Sequence, residues 1–298
     1  MDINQLNEHF GLPGVLVFRV TTSGLTYAQI TTPHATASVY LQGAHLTAWQ
    51  PAGHQPVIFT SRKAEFVSGK AIRGGVPISF PWFATRHDGK KGPSHGFARI
   101  QDWTLAFAAL AGDDLHLTFT LGPNDLSRSL GYDHFRLAYQ LTIGRTLTMQ
   151  LTVANDADTP LVFEEALHTY YAVADVGKIA IAGLNGVSYL DKVEDLQSKQ
   201  QGDIAITGPT DRVYLATTAA CALDDREGKR RITVAKAGSN TTVVWNPWKE
   251  GAAKLADMDA GEWREFVAIE TVNAAAAAIT LAPGATHAMQ AKVTVEEL

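Results

Sequence analysis

Apolar and polar residues alternate one for one through much of this chain, and that period limits its fold more than any other feature. In LHLTFTL, Leu115, Leu117, Phe119 and Leu121 fall on one side, and His116, Thr118 and Thr120 on the other. In TLTMQLTV, Leu147, Met149, Leu151 and Val153 alternate with Thr146, Thr148, Gln150 and Thr152. The C-terminal MQAKVTVEE repeats the pattern. Successive side chains of a strand point to opposite faces, so these segments read as half-buried strands. Gly, Pro, Asn and Asp clusters separate them, among them PAGHQP, RHDGKKGPS, NDADTP and DDREGK. Many short strands with such turns imply a mainly β, antiparallel sandwich or barrel. Gly144-Arg145 reads as a two-residue hairpin between FRLAYQLTI and TLTMQLTV. Helix is expected only at residues 2–10 and 124–130. The alanine run at 274–278 has no firm reading, and no repeat or long linker divides the chain.

A chain of 298 residues can bury a large core, and all-β folds of this size often form one unit of about 250 residues. The expectation is one domain over residues 1–298. The net charge of −5 argues against a nucleic-acid partner. It leaves an anionic small molecule open, since a pocket needs only local positive charge. With Cys221 as the one cysteine, neither a disulfide within the chain nor a thiolate zinc site can form. The ten histidines are scattered and make no metal-ligand spacing, so no metal is expected. The Gly74-Gly75 pair lacks dinucleotide-binding spacing, and no G-x-S-x-G elbow occurs. MDINQLNEHFGLPG lacks a signal peptide's pattern, and no run of roughly 18 apolar residues could span a membrane. A soluble, cytoplasmic protein is expected, with monomer as the default state.

Four stretches carry polar groups where a core strand would not. AIRGGVPISFPWF sets Arg73 before Gly74-Gly75, a point where backbone can turn sharply or approach a ligand. Arg99 closes GPSHGFAR after a turn-rich loop, so the two arginines could flank one loop and grip an anion. Two surface arginines at strand ends are the plainer reading. If LVFEEALHTYY is extended, Val162, Glu164, Ala166, His168 and Tyr170 share a face. That face suits the floor of a polar cleft, with an imidazole able to exchange protons near neutral pH. A histidine on a solvated sheet is the alternative. In REFVAIETVN both faces are apolar around Glu270, a pattern for a strand buried on both sides. A carboxylate there is costly unless it is paired or functional, and burial would raise its pKa. Trp245 and Trp248 bracket Asn246-Pro247, an arrangement used for sugar sites but more often structural. Asp191 and Lys192 read as exposed.

Taken in order, these segments resemble the aldose 1-epimerase superfamily, and within it the hexose-6-phosphate mutarotase branch. The likeness rests on GAHLTAWQP (43–51), IRGGVPISFPWF (72–83), SHGFAR (94–99), EEALHTYYAVADV (164–176), GLNGVSYLDKV (183–193), VVWNPW (243–248) and FVAIET (266–271). It runs from about residue 15 to the end. The resemblance implies a single large β-sandwich with its active site on a concave face. It implies His168 as general acid and Glu270 as general base. It further implies Arg73 and Arg99 at a substrate phosphate, His95 near the sugar, and Asp191 on a sugar hydroxyl. Some relatives carry glutamine where this chain has Ser94, which puts one hydroxyl contact in doubt.

Removing the C1 hydroxyl proton while protonating the ring oxygen opens a cyclic aldose. Rotation and reclosure give the other anomer, with no cofactor required. One acid and one base, worth about 10²- to 10⁴-fold each, are enough to explain useful catalysis. On this reading Glu270 starts ionised and His168 starts protonated, with Glu164 as an acidic neighbour able to raise the histidine pKa. The substrate is a small sugar phosphate. Alternatives are an epimerase of neutral sugars such as galactose, a non-catalytic carbohydrate-binding sandwich, and a glycoside hydrolase. The last needs two opposed carboxylates.

Overall fold

Every strand pair in the chain is antiparallel. A computed structural model describes residues 1–298. The chain opens with the helix Ile3–Phe10, whose N-terminus is closed reciprocally. The Asp2 carboxylate accepts from the Asn4 and Gln5 N–H groups, and the Gln5 side chain accepts from the Asp2 N–H. A four-stranded meander follows, from Leu16–Val20 to His45–Pro51.

Two eight-stranded sheets form the body. One runs in the order Ile179–Ala182, Cys221–Asp225, Arg230–Ala237, Thr286–Glu297, Leu147–Asn155, Phe135–Ile143, Asp114–Leu121, Thr104–Ala111. The alternating segments lie here as expected: Leu115, Leu117, Phe119, Leu147, Met149 and Leu151 are buried, and the intervening residues are half-buried. The other runs Leu196–Lys199, Ser188–Asp191, Thr210–Tyr214, Thr241–Asn246, Phe266–Asn273, Glu165–Leu167, Ile78–Ser79. The Tyr170–Ala172 strand pairs with the same Phe266–Asn273. All eight residues of Phe266–Asn273 are buried, as its two apolar faces require. One apolar cluster takes Leu137, Leu141 and Met149 from the first sheet and Leu167, Tyr171, Val244 and Ile269 from the second. No helix is long and apolar enough to cross a membrane.

Local expectations differ from the structure in three places. Ile143 pairs with Leu147, so the hairpin loop has three residues rather than two. Gly144 serves close approach there, since a Cβ would lie 1.7 Å from Asp114 Oδ1. The 161–171 segment is not one strand. It breaks at Glu164 and again at His168-Thr169, because those residues bond outside the ladder: the Glu164 N–H donates to Pro81 O and the His168 N–H to Pro77 O. The alanine run, which had no firm reading, forms a short 3₁₀ turn, Ala275–Ala277. A short helix, Trp248–Ala252, lies outside the two stretches where helix was expected. Buried Asn246 builds that turn: its amide donates to Trp263 O and Phe266 O, and its Oδ1 accepts the Trp248 N–H.

Candidate active site

Strand register decides what shares a face with Glu270. Glu270 pairs with Val243, and Ala268 pairs with Trp245 on one side and Tyr170 on the other. Trp245 in turn pairs with Asp211. Directly opposed residues project to the same side. Glu270, Trp245, Tyr170 and Asp211 therefore share one face, while Ile269, Val244 and Tyr214 enter the inter-sheet core. Between the polar groups the floor is apolar, made of Ala166, Val213, Val243 and Val272.

His168 sits in the break between Glu165–Leu167 and Tyr170–Ala172, which frees its ring to lean over the floor. Its Nε2 lies 3.2 Å from Glu270 Oε1. His168 Nδ1 and Glu270 Oε2 are buried with no protein partner, so each member of the pair has one atom left for a ligand. The Tyr170 ring stacks on the imidazole at 4.9 Å, and Trp245 meets it edge-on at 5.9 Å. Burial raises the Glu270 pKa well above the usual carboxylate range, and Asp211 adds to the rise. Burial pushes His168 well below the usual imidazole value, with further pressure from His95, Arg99 and Arg73. Both shifts favour a carboxylic acid beside a neutral imidazole. Both directions run against the ionised glutamate and protonated histidine expected from the sequence.

The Arg73 turn is built for one conformation. Gly74 and Gly75 have φ of +100° and +68°. A Cβ at Gly75 would lie 2.4 Å from His45 Nε2 and 2.5 Å from Leu46 O. The fully buried His45 donates from Nε2 to Gly74 O at 2.8 Å, pinning the turn from beneath. Above it, Arg73 donates from Nε to Asp257 Oδ1 at 3.1 Å and from Nη1 to the Tyr170 hydroxyl at 3.2 Å. Arg99 donates from Nη2 to Ser94 O, and its Nε is buried without a partner. Burial lowers the Arg99 pKa to about 10, with the Arg73 charge contributing. The charge of each guanidinium therefore bears on the same region of the site. His95, at φ +59°, presents its ring 5.5 Å from that of His168. Its Nδ1 accepts the Ala84 N–H at 3.3 Å, leaving the hydrogen on Nε2. Burial, Arg99 and Arg73 push its pKa down to about 3, so it is neutral.

His168, Glu270, Arg73, Arg99 and His95 thus converge. Asp191 does not. It pairs with Arg212, which puts it on the opposite face from Asp211. It is also buried rather than exposed. Its Oδ2 accepts from Arg212 Nε, and its Oδ1 from the Val193 and Glu194 N–H groups. Glu164 likewise has other work: its carboxylate accepts from the Phe83 and Ala275 N–H groups and contacts the His87 ring at 3.1 Å. It secures loops at the rim. Trp245 lines the site, whereas Trp248 packs on Trp263. Sequence reading missed Asp211 and Asp257, and it placed Tyr170 on the His168 face without giving it a role. The Asp211/Val213 alternation in TDRVY was the one available signal for Asp211, and nothing marked Asp257.

Asp211 raises the Glu270 pKa, and the Glu270–His168 pair can act as base and acid together only while it holds one proton between them. That proton is lost as pH rises through the raised Glu270 value. Asp211→Asn is expected to move the basic limb of the kcat/KM–pH profile to lower pH. An unmoved limb would show that Asp211 does not tune Glu270.

The sequence model of the family described as aldose 1-epimerase matches residues 27–294. An Escherichia coli K12 protein described as a "putative glucose-6-phosphate 1-epimerase" is 36% identical over 245 residues, covering 81% of each chain. A Salmonella typhimurium protein with the same description is 33% identical over 279 residues, covering 91% of this chain and 92% of the relative. The crystal structure of a "putative mutarotase" from Salmonella typhimurium superposes with a TM-score of 0.90 at 30% identity, covering 99% of both chains.

Proposed function

The chain belongs to the aldose 1-epimerase family, and from that membership we propose that it interconverts the α and β anomers of a hexose 6-phosphate, foremost glucose 6-phosphate. The observation that carries this reading is the buried Glu270–His168 pair at 3.2 Å, set beside two arginines. The descriptions of the Escherichia coli and Salmonella relatives agree with it. The protein is then an isomerase acting on a small sugar phosphate. The whole chain, residues 1–298, acts as one sandwich domain, because a single apolar cluster joins Leu6 to Val293.

In the reacting state the shared proton sits on His168. Ionised Glu270 removes the C1 hydroxyl proton, the C1–O5 bond breaks as the carbonyl forms, and His168 gives its proton to O5. That leaves protonated Glu270, neutral His168 and an open-chain aldehyde. Rotation about C1–C2 exposes the other carbonyl face. Reclosure returns the O5 proton to His168 and the Glu270 proton to O1. Each proton removed is restored, so the cycle consumes nothing and needs no redox partner. Neutral His95 presents Nε2–H toward the sugar, and Asp211 stands on the same face to accept a hydroxyl. Trp245 and the valines bound the apolar side of the ring. Arg73 and Arg99 hold the phosphate, which suits guanidinium geometry.

Arg73→Ala is expected to raise KM for glucose 6-phosphate by about tenfold or more while changing KM for glucose little, since a charge-assisted hydrogen bond to the ester is lost. Anomer exchange measured by NMR on both sugars checks this. An equal effect on the two would remove the phosphate assignment and favour a neutral-sugar epimerase.

A further inference from the structure

We propose that the substrate's phosphate is an activator as well as a handle: by neutralising Arg73 and Arg99 it moves the proton shared by Glu270 and His168 onto His168, the form that can protonate a ring oxygen. This rests on the phosphate-clamp reading given above.

The geometry ties the clamp to the acid. Tyr170 bridges them directly, since its ring stacks on His168 at 4.9 Å and its hydroxyl accepts from Arg73 Nη1 at 3.2 Å. The Arg99 charge also bears on the imidazole, and the His95 ring lies 5.5 Å from that of His168. The charged and titratable groups around the imidazole can be named in full. Arg73 and Arg99 are cationic, His95 is neutral, and Tyr170 is a neutral phenol. Glu270 shares the proton, Asp211 faces Glu270, and Asp257 offsets part of Arg73's charge. Without a bound anion, an imidazolium would face two guanidiniums; Arg99 also favours ionised Glu270, so Arg73 is the charge that weighs on the histidine alone.

Burial of both groups and the Arg73 charge favour the proton on Glu270. The pair is then in the wrong tautomer, with no anionic base and no cationic acid. A phosphate dianion beside the arginines cancels two positive charges. It leaves the pair's own proton count unchanged and alters only where that proton rests. At an effective interior dielectric of about 20, one unit charge several ångströms away changes such an equilibrium by roughly tenfold or more. The phosphate would therefore contribute to kcat as well as to KM. A neutral sugar, bound in the same place, would meet an inactive tautomer.

The test separates handle from activator by supplying the dianion unattached. Sulfate is the probe, since it is a dianion too weakly basic to catalyse the exchange itself. Anomer exchange is measured by NMR on glucose with the full chain at constant ionic strength, with and without sulfate. Competition of sulfate against glucose 6-phosphate is measured alongside. The expected result is competitive inhibition with glucose 6-phosphate and a saturable acceleration with glucose of roughly fivefold or more. Both should occur over the same sulfate concentrations, and both should be lost in Arg73→Ala. Competition without acceleration overturns the activation proposal and leaves the clamp standing. Absence of competition overturns the clamp reading and this inference together.

Discussion

Glu270→Gln is expected to lower kcat for anomer exchange by about 10²- to 10⁴-fold, the usual contribution of one general base. The substitution preserves volume and leaves an amide able to bond His168, so the fold should survive. Glutamine cannot accept the C1 hydroxyl proton, and every ring opening requires that transfer. His168→Asn should produce a loss of similar size, because the acid acts in the same transition state. The double variant should be little worse than either single one, since groups that act as a unit lose their effect together. KM should shift far less than kcat. Progress curves following the anomeric protons of glucose 6-phosphate, with melting curves for each variant, provide the check. A Glu270→Gln enzyme within about tenfold of the parent kcat would rule out Glu270 as the base.

Gly75→Ala should be the most destructive single change outside the pair. An alanine at φ +68° carries about 1–2 kcal/mol of backbone strain. Its Cβ would also press on His45 Nε2 and Leu46 O at 2.4 and 2.5 Å. Overpacking of a dense core costs typically about 1–3 kcal/mol more. A total near 3 kcal/mol or above is a large part of the stability of an ordinary domain. Relief by movement would tilt the turn and displace Arg73, so any folded fraction should bind the phosphate ester poorly. Gly89→Ala is the matched control. It has φ +73°, but nothing lies within 4 Å of the added carbon. Its cost should stay near the backbone strain alone. Urea unfolding of both variants makes the comparison, and equal midpoints would show that His45 and Leu46 yield without cost.

The two effects meet in one segment. In AIRGGVPISFPWF the glycines allow a turn that no other residue fits, His45 pins that turn from the core side, and Arg73 is held above it by Asp257 and Tyr170. The segment stores the position of a charge. That position matters because two guanidiniums bear on the proton between His168 and Glu270.

Much of this was legible in the chain itself. Period-two alternation in 115–121 and 147–153 is a local property of extended backbone, so strands and their buried faces follow from it. Glu270 stood out because a carboxylate inside VAIET has no cheap explanation in a strand apolar on both faces. Arg73, Arg99 and His168 could be picked out by type and position, whereas His95 came only from the resemblance to the family. Asp191 and Asp211 could not be told apart by such reasoning. Each is an aspartate at or near a strand end, and only the pairing of Asp211 with Trp245, and of Asp191 with Arg212, separates the two faces. Those pairings are set by strands distant in sequence, and a shift of one residue would have exchanged them. Proton placement was equally hidden. Composition supplied an acid and a base. Burial pushes Glu270 up and His168 down, and the Arg73 and Arg99 charges add to the shift at His168. The sequence by itself determined the strand pattern and the chemical inventory, because both are carried by neighbouring residues. The tertiary structure alone decided which groups share a face and what charge they hold, because register and desolvation arise only when distant strands meet.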